Sequence, residues 1–125
     1  MTGIESLSKI RDESARENIL RITDSFVAAV NPMKVILFGS FADGSYTDDS
    51  DYDFYLVVES GASLHETCTK AHRAITDLKD RPVDIVVGHD FYFEQKGKMK
   101  NTLMVEGEVH KKGIVLYDRK GGISS

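Results

Sequence analysis

The stretch "KVILFGSFADGSYTDDSDYDFYLVV", residues 34–58, holds two apolar runs separated by a polar connection. Lys34 to Phe38 is too brief for a stable helix and rich in aliphatic residues, which predicts a buried strand. Asp51 to Val58 predicts a second strand on the same grounds. Between them, Gly39 and Gly44 bracket a tight connection containing Ser40, and Ser45 to Ser50 read as a polar loop. The aspartates here are not equivalent. Asp43, Asp48 and Asp49 sit where turns recruit aspartate for local hydrogen bonds, and they read as turn residues. Asp51 and Asp53 lie two apart on a predicted strand, so their side chains leave one face about 6.5–7 Å apart at the backbone.

Upstream, Ile4, Leu7, Ile10, Ile19, Leu20, Ile22, Phe26, Val27 and Val30 recur mostly at three- and four-residue spacing. That period predicts helix over 4–30, in one or two pieces, stopped at Asn31-Pro32 because the residue before proline avoids the α region. Downstream, Gly61 ends the second strand, and Ser63 can cap a helix reaching Leu78 or Lys79, with Glu66 in the capping-box position. "PVDIVV", residues 82–87, predicts a third strand that Pro82 can begin. Helical segments are expected around 90–96 and 99–108, and "GIVLYD" from Gly113 supplies a last strand. The order α, β, short α, β, α, β, α, β predicts an α/β (α+β) chain, a small mixed sheet covered by helices. There is no internal repeat; a single domain is expected over 1–118, with helical segment 4–30, core 34–118 and a flexible tail over 119–125.

The 125 residues are 41% hydrophobic and 29% charged with two prolines, which suits one globular core. A net charge of −4 argues against broad binding to nucleic-acid backbones, which relies on many Lys and Arg contacts. Cys68 is the single cysteine, so no intramolecular disulfide can form, in keeping with a reducing compartment. The N-terminus has no apolar signal region, and no segment approaches the ~20 apolar residues of a membrane span, so a cytoplasmic location is expected.

A third carboxylate gives the Asp51–Asp53 pair its meaning. Asp84 is the second position after Pro82 in an otherwise apolar strand, where an isolated carboxylate is costly unless paired, protonated or bound to metal. Three strands with charged positions near one edge can gather three aspartates, and carboxylates that close need a cation. All-oxygen ligation suits Mg²⁺ or Mn²⁺, which bind substrate phosphates, and two such ions stabilise an in-line phosphoryl displacement. Gly39 and Ser40, following a strand, add close backbone approach and a hydroxyl donor, a candidate seat for phosphate.

These residues together resemble the minimal nucleotidyltransferases of the DNA polymerase β-like superfamily, the type often encoded beside a HEPN-domain partner as a toxin–antitoxin pair. The pattern is Gly39-Ser40 after a strand, Gly44, Ser50-Asp51-Tyr52-Asp53 on the next strand and Asp84 on a later one, and the resemblance covers about residues 15–118. It implies the nucleotidyltransferase fold, with Asp51 and Asp53 ligating two Mg²⁺ ions (Mn²⁺ an alternative). It also implies that Asp84 ligates the catalytic ion and helps deprotonate the acceptor, while Gly39 and Ser40 hold the β- and γ-phosphates. The implied reaction transfers a nucleotide, AMP from ATP, to a hydroxyl of a partner protein. The implied partner is a HEPN-domain protein; a homo-oligomer is left open. Relatives carry arginines at the positions of Phe41 and Asp43, so the cation facing the triphosphate is expected elsewhere, among Lys96, Lys98 and Lys100. That departure keeps a second reading open, a non-catalytic antitoxin or nucleotide-binding interaction module; an aminoglycoside-type adenylyltransferase is a third.

His65, His72, His89 and His110 show no metal-ligand spacing and are expected to be structural or on the surface. Tyr52, Phe54 and Tyr55, and the cluster Phe91, Tyr92 and Phe93, are expected to pack in the core.

Overall fold

Asp12 starts the first helix by accepting hydrogen bonds from the backbone N–H groups of Ser14 and Ala15, and α1 runs Glu13–Val30. Its apolar stripe, Ala15, Ile19, Ile22 and Phe26, is fully buried, as the spacing requires. Asn31 closes it in the left-handed conformation (φ 46°), one residue before Pro32. This is a computed structural model, describing residues 7, 10–78, 80–97, 105–120 and 122–123. The expected helical turns before Glu13 fall mainly outside the described residues.

The remaining elements follow as β1 (Lys34–Phe38), α2 (Ser40–Asp43), β2 (Tyr52–Val58), α3 (Leu64–Ala74), β3 (Val83–His89), α4 (Asp90–Gly97), α5 (Val105–Lys112), β4 (Ile114–Asp118) and β5 (Gly122–Ile123). The five strands form one mixed sheet in the order β3-β2-β1-β4-β5. β1 lies antiparallel to β2 and β4, whereas β2 and β3 are parallel and joined through α3, as a parallel pair requires a long crossover. Ser63 caps α3 by accepting from the Glu66 N–H at 3.2 Å.

Strand alternation sorts β2 between two cores. Tyr52, Phe54 and Leu56 join Ile19, Ile22, Phe26, Ala71 and Ile75 of α1 and α3 on one face. Tyr55 and Val57 join Ile36, Phe38, Phe93 and Val109 on the other, beneath α4 and α5. Asp53 shares the face of Tyr55 and Val57, so a carboxylate continues an apolar row to the end of the sheet.

Several boundaries differ from the sequence reading. Asp51 lies just before β2 rather than in it, and β3 starts at Val83 and runs on through His89. α3 ends at Ala74, after which Ile75, Thr76 and Leu78 close tight turns onto His72, Arg73 and Ile75. Of the helix expected over 99–108, the described part is α5, which runs on to Lys112; residues 98–104 lie outside the described residues. The tail expected to be flexible from Arg119 contains β5, paired with Tyr117 and Asp118. Of the second aromatic cluster only Phe93 is core, stacking on His110; Phe91 is 69% exposed and Tyr92 40%. Among the described residues, no helix is long and apolar enough to cross a membrane.

Candidate functional site

Pairing register brings the site together. At the C-terminal end of β1 Phe38 lies opposite Asp53, and Asp53 in turn lies opposite Asp84 on β3. Directly paired residues point to the same side of a sheet, so the two carboxylates share a face and come within hydrogen-bonding reach. Asp51, two residues before Asp53, adds its negative charge from the loop end.

This convergence leaves a chemical mark. The Asp53 carboxyl is pushed up to about 6, first by burial, then by the charge of Asp84 and a hydrogen bond with it, then by the charges of Asp51 and Glu108. Glu108, exposed on α5, is a fourth carboxylate facing this end of the sheet, and nothing in the local sequence marks it. Asp84 is exposed, which corrects the expectation that burial would press its carboxylate to find a partner. As an edge strand β3 leaves that position open to water, and what constrains Asp84 is its neighbour Asp53.

Gly39 is fitted to the same carboxylate. Its backbone (φ 75°, ψ −156°) lies in a region essentially restricted to glycine, and a Cβ there would stand 2.2 Å from Asp53 Oδ2. Ser40 follows at the first position of α2 and is half-buried. The remaining aspartates stay apart: Asp43 Oδ1 accepts from both the N–H and the hydroxyl of Ser45 in a local turn, and Asp48 and Asp49 are exposed.

Behind α2, Phe41 is fully buried, stacked on Tyr46 at a centroid separation of 4.4 Å. Tyr46 in turn accepts hydrogen bonds through its hydroxyl from the N–H groups of Arg11 and Asp12, which fastens the loop to the start of α1. Among the described residues, a basic group that the fold brings to Phe41 is Arg81, whose guanidinium carbon lies 4.9 Å from the ring centroid. Sequence reading passed over it, since only the tertiary fold joins position 81 to position 41. Lys98 and Lys100 lie outside the described residues, as does the side chain of Lys96.

Among the described residues, no group of three or more His, Cys, Asp or Glu side chains is drawn close enough to hold a metal by itself. For Mg²⁺ that is compatible with the donor set, because the ion keeps waters and commonly takes one or two carboxylates together with substrate phosphate oxygens. An oxygen-only pair of acids held together in register, with two further acids at electrostatic range, suits such an ion chemically.

The family model for polymerase beta nucleotidyltransferases matches residues 20–121. No curated protein matches the chain. Among solved structures, a Sulfolobus solfataricus protein assigned as a nucleotidyltransferase is similar with a TM-score of 0.55 and 18% identity, over 98% of this chain and 93% of that one. A toxin–antitoxin structure with AMP-PNP is similar with a TM-score of 0.51 and 18% identity, over 84% of this chain and 74% of that one. At these identities the two structures speak for the fold.

Proposed function

The chain belongs to the polymerase beta nucleotidyltransferase family, and from that premise we propose that it is a Mg²⁺-dependent transferase moving AMP from ATP onto a hydroxyl of a partner protein. In this reading it works in the cytoplasm as the antitoxin of a toxin–antitoxin pair, with a HEPN-domain protein as partner. The observation that carries the reading is the Asp53–Asp84 register pair with Gly39 packed against Asp53, because it joins the proposed phosphate seat to the proposed metal ligands. The likeness to a toxin–antitoxin structure holding AMP-PNP supports the nucleotide and the type of partner.

The proposed roles follow from position. Asp51, Asp53 and Asp84, together with waters and triphosphate oxygens, would hold two Mg²⁺ ions, and such ions when bound would supply charge stabilisation for the phosphoryl displacement. Gly39 and Ser40 seat the β- and γ-phosphates, Gly39 by letting backbone approach closely and Ser40 through its hydroxyl. Asp84, the exposed member of the pair, faces the acceptor side and accepts the proton of the attacking hydroxyl. Most of the work left to the protein is positioning and charge stabilisation. The test is to incubate the chain with Mg²⁺, labelled ATP and the protein encoded in the neighbouring reading frame. Label should pass to that partner and be lost with Asp53→Asn; no transfer by the parent chain sinks the enzymatic reading.

One observation favours a binding role instead. Phe41 is buried between aromatic neighbours and Asp43 is tied into a turn, so neither occupies the place of a phosphate-neutralising arginine. If the double variant Asp51→Asn/Asp53→Asn still neutralises the partner, binding rather than transfer carries the function.

A further inference from the structure

Asp51 stands outside the β2 ladder, yet the backbone on both sides of it is fixed by two consecutive residues just before β3. The Ser50 carbonyl accepts a hydrogen bond from Arg81 Nη1 at 3.2 Å, and the Tyr52 N–H donates to the Pro82 carbonyl at 3.1 Å. The second bond belongs to the backbone and survives any side chain at 81; the first exists only because of Arg81.

The same guanidinium reaches the other half of the site. It lies 4.9 Å from the ring centroid of Phe41 and 5.2 Å from that of Tyr52, and both rings are fully buried. Phe41 follows Ser40 directly, and Tyr52 separates Asp51 from Asp53. Arg81 is itself held from behind, with Nε 3.7 Å from Asp80 Oδ1, the oxygen that also accepts from Asn18 Nδ2 of α1 at 3.2 Å. Its Nε makes no hydrogen bond, so the side chain is placed by stacking, the ion pair and the Ser50 contact together.

We infer that Arg81 is a positioning residue: one guanidinium braces α2, which carries the Gly39-Ser40 seat, against the Ser50–Asp51 backbone, setting seat and carboxylate relative to each other. The brace belongs to the chain without ligands; what it positions rests on the nucleotidyltransferase reading above. A planar fork that stacks and donates at once is specific to arginine, and a lysine keeps the charge without either property.

The test compares the parent chain with Arg81→Lys, Arg81→Met and, as a control on the exposed face of α3, Arg73→Lys. Amide hydrogen exchange is measured by NMR in chelator, and Mn²⁺ affinity by spin resonance. In Arg81→Lys, exchange should quicken at Ala42, Asp43, Gly44 and Ser50, while Tyr52, whose bond to Pro82 is made by backbone alone, and Val35, Ile36 and Leu37 of β1 hold their parent rates. Mn²⁺ affinity should fall about tenfold, the scale on which outer-shell supports act on a metal site. Arg73→Lys should change neither. Unchanged exchange at those four amides in Arg81→Lys overturns the brace, as does a quickening spread equally over β1. Should Arg81→Met fail to fold, Arg81→Lys decides alone. A parent chain that binds no Mn²⁺ counts against the nucleotidyltransferase reading, and the exchange pattern still judges the brace.

Discussion

Gly39 is the position at which backbone and site are least separable. Alanine there meets two obstacles: a φ, ψ combination that costs a side-chain-bearing residue about 1–3 kcal/mol, and an Asp53 oxygen where its methyl would go. The backbone cost cannot be relieved locally, whereas the carboxylate can swing aside, away from its place opposite Asp84. Gly39→Ala should therefore lower the melting temperature by several degrees and also abolish AMP transfer under conditions where the variant remains folded. Melting and transfer assays on the same preparation check this, and a variant with parent activity would show that Asp53 is not held as described. Gly39, Asp53 and Asp84 were legible in the sequence because strand period and glycine placement are local signals. Arg81 and Glu108 were not, because their relation to the site spans dozens of residues and exists only once β3 and α5 have docked. Asp84 was singled out partly on an expectation of burial drawn from its apolar neighbours, and on the edge strand β3 it is exposed instead.

At the scale of elements, α5 is locked to the sheet by a polar contact inside a hydrophobic layer. Tyr55 of β2, fully buried, donates its hydroxyl hydrogen to Glu106 Oε2 at 2.7 Å, and Glu106 is 6% exposed. Burial, then the bond to Glu106 and its charge, push the Tyr55 hydroxyl well above the usual tyrosine range, so it stays a donor. Room for that hydroxyl comes from β3, where a Cβ on Gly88 would stand 2.0 Å from the Tyr55 oxygen and 2.9 Å from its ring carbon. Gly88→Ala should cost about 1–3 kcal/mol by overpacking. Tyr55→Phe should cost a similar ~1–3 kcal/mol by leaving a buried carboxylate without its donor. Because both act through one oxygen, the double variant should lose less than the sum by at least ~0.5 kcal/mol in urea denaturation. Strict additivity would mean that the two residues do not compete for that space. The order and type of the main elements could be read from periodicity, while the ends of α3 and α5 could not. Buried Ile75 stands at the cap of α3, and the Glu106–Tyr55 bond ties α5 to the sheet, contacts that no local pattern reports.

For the whole molecule, the consequence is a fold that works against its own site when no cation is present. The chain carries a net charge of −4, and among the described residues the charged groups acting on Asp53 are Asp51 from the loop before β2, Asp84 from β3 and Glu108 from α5, all acidic. The Asp53 carboxyl is pushed up to about 6 in the folded chain from its ordinary 3.8, so between those values the folded chain holds a proton that the unfolded chain has released. Stability from this group is therefore present below pH 4, declines as pH rises from about 4 to about 6, and stays low above that. Other carboxylates lose their own partners on acidification, so the clean measurement is the difference between Asp53→Asn and the parent in chelator. The melting-temperature advantage of Asp53→Asn should grow from pH 4 to pH 6 and then level off. Added Mn²⁺ should raise the melting temperature of the parent at pH 7 and lose this effect toward pH 5, where protons compete for the same carboxylate. A flat difference across the window would mean that Asp53 is not strained by its neighbours. A Mn²⁺ effect of equal size in Asp53→Asn would place the cation elsewhere on the chain.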